Sequence, residues 1–192
     1  MPEPLQVLED AKAVLKGHFL LASGLHSDTY VQKFRIFQHP AVAEDLARRL
    51  ASQWAGTKID TVAAPAVGAI VFGHEMARAL GTRSVFLERK DGGVFATRVG
   101  MELAKGERVL CAEDVVTTGG SVLEMSSAVE AAGAEVVGFA ALIDRTGGKN
   151  PFPKRFEALI RMSPAQYPAE ACPLCKAGVA LTKPGTKQGA KA

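Results

Sequence analysis

The chain has 192 residues, of which 47% are hydrophobic, and a net charge of +3. This length and composition predict a single domain over residues 1–182 and exclude a largely disordered chain, although we expect a flexible basic tail over residues 183–192. Because the sequence shows no long basic run, no secretory signal, no membrane-length apolar run and an odd number of cysteines, we expect a cytoplasmic protein that binds neither nucleic acid nor membrane.

Apolar spacing predicts two helices and a short strand in the first third of the chain. One helix is predicted over Leu5–Lys16 and a strand over His18–Leu21. A second helix begins at Pro40 and ends at Gly56, since proline is favoured in a first helical turn and glycine after a last one. Trp54 lies on the apolar stripe of this helix, so we expect it in the core.

Between these helices, Ser23–Tyr30 reads Ser-Gly-Leu-His-Ser-Asp-Thr-Tyr. Its hydroxyl, imidazole and carboxylate groups could bind a polar ligand. Ser-Gly and Ser-Asp are also common turn pairs, so the alternative is a hairpin with a surface loop.

From residue 60 onward, short apolar runs alternate with helical patterns. Strands are predicted over Asp60–Ala64, Ser84–Leu87, Val109–Ala112, Glu135–Leu142 and Phe156–Ile160. The alternation predicts an α/β fold with a central, mostly parallel sheet flanked by helices. Ligands of such sheets bind at the carboxyl ends of the strands, so we expect the site in the turns that follow them.

The turn after the second of these strands is a charged, glycine-containing loop, Glu88–Val94. Such a run is usually a solvated hairpin tip. In an enzyme that handles pyrophosphate, it could instead be a mobile lid that brings Arg89 and Lys90 over the leaving group.

The third strand leads into the most informative stretch. Glu113 and Asp114 stand where the strand is predicted to end, followed by Val115-Val116-Thr117-Thr118-Gly119-Gly120-Ser121 and a helical pattern. Hydroxyls and unhindered backbone N–H groups at a helix N-terminus form an anion site. Paired acids beside it suit a sugar phosphate, whose hydroxyls can donate to the carboxylates. The alternative is an ordinary turn with Ser121 as the N-cap.

Residues 113–121 resemble the phosphoribosyl-pyrophosphate signature of the type I phosphoribosyltransferases. The resemblance implies the fold of that family, with a small N-terminal hood (about residues 18–36) and the C-terminal segment over a base site. It implies that residues 113–121, with Arg89 and Lys90, bind 5-phosphoribosyl 1-diphosphate (PRPP). Lys90, Arg89 and Asp114 are expected to be catalytic.

Two further elements resemble those of the orotate phosphoribosyltransferases. Ser23–Tyr30 is similar to their Ser-Gly-x-x-Ser-x-x-Tyr element, and Asp144-Arg145 with Gly147-Gly148 is similar to their Asp-Arg segment. The resemblance implies orotate contacts from Thr117, Arg145, Ser23, Gly24 and His26. A guanidinium suits this substrate because it can bind a carboxylate with two hydrogen bonds. The alternative for Arg145 is a surface salt bridge.

The implied reaction transfers phosphoribosyl from PRPP to N1 of orotate and forms orotidine 5′-phosphate and pyrophosphate, in UMP biosynthesis. The resemblance also implies Mg²⁺, held mainly by PRPP and water rather than by side chains, and a homodimer that shares the lid loop. The alternatives are a purine or uracil phosphoribosyltransferase, which shares the donor loop, and a regulatory protein on the same fold.

The resemblance spans about residues 20–186 and includes a terminal Cys172-Pro-Leu-Cys175 and residues 183–186, which are found in one branch of the family. A better-known branch of the family has a lysine where this chain has Val67-Gly68-Ala69, and another where His26 stands. The cations that replace them are not identified. Cys172 and Cys175 could be half of a zinc site, but two ligands are too few unless histidines or a second subunit complete the set. We expect structural cysteines, with metal binding as the alternative.

Overall fold

Two β-sheets organise the chain in a computed structural model that describes residues 2–21, 23–90 and 92–184. The helices and strands, in chain order, are α1 (Pro4–Asp10), β1 (Val14–Leu20), β2 (His26–Val31), α2 (Phe34–Phe37), α3 (Pro40–Ser52), β3 (Thr61–Pro65), α4 (Ile70–Leu80), β4 (Arg83–Arg89), β5 (Phe95–Thr97), β6 (Arg108–Val116), α5 (Gly120–Ala131), β7 (Glu135–Asp144), β8 (Phe156–Arg161), β9 (Gln166–Tyr167) and α6 (Pro173–Lys176). A single 3₁₀ turn, Ala169–Ala171, precedes α6.

The larger sheet has the strand order β5-β4-β3-β6-β7-β8. All its pairings are parallel except that of the edge strand β5 with β4. The predicted α/β architecture with a mostly parallel sheet is confirmed. Since β3, β6 and β7 end at the same edge, the turns that follow them are brought together there.

Helices cover both faces of this sheet and bury its apolar side chains. On one face α3 and α4 pack Leu46, Leu50 and Phe72 against the strands. Trp54, just beyond α3, is 1% exposed, which confirms its predicted place in the core. On the other face α5 contributes Met125 to a separate cluster.

The N-terminal segment differs from the prediction. The helix predicted through Lys16 ends at Asp10, and Val14–Leu20 forms β1, which pairs antiparallel with β2. Lys12 has a φ of +52°, so the backbone turns sharply between the two elements. Strand pairing, which joins residues distant in the sequence, here outweighs the local helical spacing.

The β1–β2 hairpin forms the smaller sheet with β9. The C-terminal segment runs beside β1, where Thr182 N donates to His18 O at 2.8 Å and Leu20 N donates to Thr182 O at 2.9 Å. The predicted tail begins at Lys183, but residues 185–192 lie outside the described part of the chain. Within the described ranges, no helix has the length and hydrophobicity needed to cross a bilayer.

Candidate active site

The turn between β6 and α5 forms the phosphate-sized cavity that the sequence predicts. The cavity has a volume of about 60 Å³ and is lined by Glu113 and by residues 115–122. It lies at the N-terminus of the 12-residue α5, whose first N–H groups have no acceptor within the helix. A small polar cavity at this position suits a phosphate rather than a larger group.

Gly119 shapes this turn and acts as the N-cap of α5. Its φ is +81°, and a side chain there would overlap Pro151. No side chain caps the helix, so the alternative in which Ser121 is the N-cap is wrong. Ser121 is exposed on the lining of the cavity, where its hydroxyl can donate to an anion.

The two acids belong to β6 rather than to the turn, because the strand extends four residues beyond its predicted end, to Val116. Successive residues of a strand point to opposite faces. Glu113 is half-buried and lines the phosphate cavity, whereas Asp114 is 2% exposed and does not line it. The pair therefore offers one carboxylate to the cavity and one to the other face of the sheet.

Burial, with a smaller contribution from the Asp114 charge, raises the pKa of Glu113 to about 8. The native state thus holds a proton that the unfolded chain loses near pH 4.5. The free energy of unfolding therefore falls as the pH rises from 4.5 to about 8. We expect Glu113→Gln to remove this loss, so that its free energy of unfolding rises relative to that of the wild type by roughly 4 kcal/mol between pH 5 and pH 9. Urea unfolding of both proteins across this range measures the difference.

Glu130→Gln is the matched control, since Glu130 is exposed on α5. Its unfolding free energy should follow the wild type at every pH. A constant difference between Glu113→Gln and the wild type would contradict the raised pKa.

Lys33 is a functional candidate that the sequence reasoning missed. Its side chain is 27% exposed, and its ammonium forms an ion pair with Asp114. Asp114 Oδ2 is buried and accepts no hydrogen bond of good geometry from the described residues. A Cβ on Gly68 would overlap both Lys33 Nζ and Asp114 Oδ2, so the ammonium lies against the turn after β3.

The position of Lys33 indicates a cation that could take the place of the loop lysine found in the better-known branch of the family. Lys33 comes from the segment before α2, yet its charge reaches Gly68. Gly68 belongs to the stretch Val67-Gly68-Ala69, in which the sequence resemblance leads us to expect a lysine of the better-known branch. The sequence around Lys33 does not predict its contact with Gly68. The two residues are 35 positions apart, and only the tertiary structure brings them together.

A second cavity of about 370 Å³, a size typical of small-molecule sites, adjoins the first. Thr117 and Thr118 line both cavities. The other lining residues come from the hairpin, the turn after β7 and the C-terminal segment: Leu20, Leu21, Ser23, Tyr30, Arg145, Gln166 and Pro184. The hood thus covers the carboxyl edge of the main sheet.

Arg145 supplies the charge of this second cavity. Its backbone N–H donates to Val116 O at 2.8 Å, which fixes the turn after β7 beside the phosphate turn. Burial lowers the pKa of the guanidinium. Its Nε is buried and, among the described residues, has no hydrogen-bond partner. Among the described residues Arg145 forms no salt bridge, unlike the predicted alternative, and a half-buried cation without an acceptor favours an anionic ligand.

Three of the predicted orotate contacts, Thr117, Arg145 and Ser23, line the second cavity, and two do not. Gly24 forms the exposed turn of the hairpin, with a φ of +83°. His26 is 5% exposed, and its Nδ1 lies 2.9 Å from His18 Nε2. The predicted role of His26 in orotate binding does not agree with this placement, because its imidazole is directed into another cluster.

The predicted lid is a hairpin between β4 and β5, and its cations line neither cavity. Arg89 forms an ion pair with Glu124 on α5 at 2.5 Å and stacks on Phe95. Lys90 forms an exposed ion pair with Glu88 at 2.6 Å. These exposed pairs are weak, so both cations can exchange partners readily.

Comparison with known proteins shows the family to which the chain is similar. The model of the phosphoribosyl transferase domain family matches residues 35–159. An orotate phosphoribosyltransferase of Caldanaerobacter subterraneus is 47% identical over 184 residues, which cover 96% of each chain.

Two solved structures share the fold. Orotate phosphoribosyltransferase from Aeropyrum pernix superposes with a TM-score of 0.69 at 24% identity, covering 82% of this chain and 92% of that one. The Mycobacterium tuberculosis orotate phosphoribosyltransferase in complex with inorganic phosphate has a TM-score of 0.64 at 26% identity, covering 84% and 96%. The predicted fold class is thereby confirmed.

Proposed function

This chain belongs to the orotate phosphoribosyltransferases, and from that membership we propose that its two cavities bind PRPP and orotate side by side. The reaction transfers phosphoribosyl from PRPP to N1 of orotate and releases pyrophosphate, in UMP biosynthesis. The observation that carries the proposal is that Thr117 and Thr118 line both cavities, while the second is also lined by Arg145, whose Nε has no hydrogen-bond partner among the described residues. A ribose whose 5′-phosphate occupies the first cavity would present C1 to a base in the second.

The phosphate turn, residues 117–121, anchors the 5′-phosphate through hydroxyls and N–H groups at the start of α5. Glu113 faces this cavity and accepts from a ribose hydroxyl. Asp114 is covered by Lys33. We infer that Asp114 reaches a ribose hydroxyl once the Lys33 ammonium moves toward the incoming pyrophosphate.

Breaking the bond between C1 and the pyrophosphate oxygen leaves positive charge on the ribose and negative charge on the leaving group. Orotate is already an anion, so a strong general base is not needed. The residues act by positioning and charge: Arg145 holds the orotate carboxylate, and Lys33, Arg89 and Lys90 stabilise pyrophosphate as it leaves.

Mg²⁺ fits this site as a partner of the substrate rather than of the protein. Among the described residues, Glu113 is the one acidic side chain that lines the phosphate cavity, and a hard cation prefers several oxygen ligands. Oxygens of PRPP and water would supply the rest, with Glu113 the nearest protein acceptor. When bound, the ion would neutralise part of the pyrophosphate charge.

We also propose a cytoplasmic homodimer in which each lid serves the partner's site. The three free cysteines fit a reducing compartment. Arg89 and Lys90 do not line the cavities of their own chain. A closing lid of the partner subunit would bring the missing charges to the leaving group.

We expect Lys90→Ala to lower turnover about tenfold with little change in PRPP affinity, because an exposed cation that joins only the closed state acts on the transition state. Steady-state rates and calorimetric titration with PRPP separate the two quantities. Lys105→Ala, an exposed lysine outside the lid, is the control. Unchanged turnover would remove Lys90 from the catalytic set.

Mixed dimers test the sharing of the lid. Chains carrying Lys90→Ala are combined with chains carrying Arg145→Gln. If the lid serves the partner's site, each mixed dimer has one intact site, and random exchange restores about a quarter of wild-type activity. Activity no higher than the average of the separate variants would show that the lid acts within its own chain.

The function itself is tested with PRPP, Mg²⁺ and a set of bases. We expect the protein to consume orotate, followed by its absorbance, and to leave uracil, adenine and hypoxanthine unchanged, since these lack a carboxylate for Arg145. Consumption of one of the other bases would instead support a purine or uracil phosphoribosyltransferase. No reaction with any base would favour a regulatory protein.

A further inference from the structure

Four side chains that commonly bind metal ions meet outside the two cavities. They are His18 of β1, His26 of β2, and Cys172 and Cys175 at the start of α6. One ligand atom from each lies within 4.8 Å of all the others. Both cysteines are free thiols. The fold thus supplies the two histidines that the Cys-x-x-Cys pair needs to form a complete ligand set.

The distances within this His₂Cys₂ cluster match a tetrahedral zinc site. Zinc bonds of about 2.0 Å to nitrogen and about 2.3 Å to sulfur place neighbouring ligands roughly 3.3–3.8 Å apart. Cys172 Sγ lies 3.5 Å from His18 Nε2, and Cys175 Sγ lies 3.7 Å from the same atom. Cys175 Sγ is 3.3 Å from His26 Nδ1, and the two histidine nitrogens are 2.9 Å apart. Small outward shifts of the two imidazoles complete the tetrahedron.

The surroundings of the cluster prepare His18 to bind a metal. Its Nδ1 lies 2.8 Å from Val179 O, so the Nδ1 proton is donated to the carbonyl and the lone pair of Nε2 faces the cluster. This is the arrangement that fixes the tautomer of metal-binding histidines. His18, His26 and Cys172 are 2%, 5% and 0% exposed. Burying these polar groups together is unfavourable unless a shared partner compensates.

We propose that His18, His26, Cys172 and Cys175 form a structural zinc site that fastens the C-terminal segment to the hood hairpin. Four protein ligands leave no open position for a reacting group, which is characteristic of structural rather than catalytic zinc. The ion joins segments about 150 residues apart in the sequence, as the separation of Cys172 from His18 shows.

The zinc site should affect ligand binding in the second cavity. This consequence rests on the proposed function, in which that cavity binds orotate. Leu20, Leu21, Ser23 and Tyr30 line that cavity and flank the zinc-binding histidines on the hairpin. The described residues that line the phosphate cavity all belong to β6, the following turn and α5. Loss of the ion should therefore weaken orotate binding and leave PRPP binding intact.

Metal content is the first test. The full-length chain, without a histidine tag, is produced in zinc-supplemented medium, dialysed and analysed by inductively coupled plasma mass spectrometry. We expect one zinc per chain. Chelation followed by Co²⁺ alone should give the intense visible absorption of tetrahedral, thiolate-bound cobalt. Wild-type protein that binds no zinc and gives no such cobalt spectrum would overturn the proposal. A Cys172–Cys175 disulfide that persists in the presence of a reductant would also overturn it.

Variants locate the ion. Cys175→Ser changes the exposed ligand, which makes it the substitution best tolerated by the fold, and should lower Co²⁺ affinity at least about a hundredfold. Cys111→Ala and His74→Gln change a cysteine and a histidine outside the cluster and should keep wild-type affinity. Wild-type Co²⁺ affinity in Cys175→Ser would overturn the assignment. If that variant does not fold, the zinc content and cobalt spectrum of the wild type still decide.

The activity readout distinguishes this site from the proposed function. Chelated wild type should show a raised KM for orotate with an unchanged KM for PRPP, restored by Zn²⁺. If metal binds but no base is consumed in any form, the proposed function fails and the zinc site stands. If the protein as isolated holds no zinc and still consumes orotate in the presence of Mg²⁺, the zinc site fails and the proposed function stands.

Discussion

Replacing Arg145 with Gln should lower kcat/KM for orotate about a thousandfold, because a site built to bind a polar group loses the group that pairs with it. Arg145 Nε is buried without a partner among the described residues, and we infer that orotate supplies the acceptor. Arg145→Lys keeps the charge but not the planar fork, and we expect a loss of about a hundredfold. Steady-state kinetics with orotate varied at saturating PRPP measures both variants.

Arg48→Gln is the matched control, since Arg48 is exposed on α3 and pairs with Glu44 one turn away. It should keep wild-type kinetics. Calorimetric titration with PRPP should give the same affinity for Arg145→Gln as for the wild type, since Arg145 does not line the phosphate cavity. Unchanged orotate kinetics in Arg145→Gln, or an equal loss of PRPP binding, would argue against this residue as the orotate anchor.

Replacing Lys33 with Ala should lower turnover about a hundredfold, the loss usually found when one donor to a developing anion is removed. Its charge is more sheltered from water than that of Lys90, with side-chain exposures of 27% and 51%, so its effect should be larger. Single-turnover measurements at saturating PRPP and orotate separate this loss from binding. Lys33→Arg keeps the charge and should recover part of the rate.

Gly68→Ala tests the position of the Lys33 ammonium without changing Lys33 itself. The added methyl would overlap the Lys33 ammonium, which must then move because it ends a flexible side chain. Turnover should fall in this variant without any change of charge. Lys58→Ala, an exposed lysine before β3, is the control and should keep wild-type turnover. Normal turnover in both Lys33→Ala and Gly68→Ala would show that Lys33 serves only to neutralise Asp114.

Local sequence determined the architecture and the donor side of the site. The strands of the main sheet were predicted because buried parallel strands are short, continuous apolar runs. The residues that line the phosphate cavity, Glu113 and 115–122, lie in one short stretch of the chain, so the sequence shows their chemistry directly. Arg145 was also predicted, since it follows a buried strand at the edge where such folds bind ligands.

Tertiary structure alone decided the features that join distant segments. The helical spacing before Gly17 gave way to a strand because β2 offered a pairing partner. Lys33 reached Gly68 across 35 positions, and His26 turned away from the base cavity toward two cysteines that follow it by about 150 residues. The sequence shows which side chains are available. Whether they come into contact depends on how the hood packs on the main sheet, and no local sequence pattern predicts contacts between such distant segments.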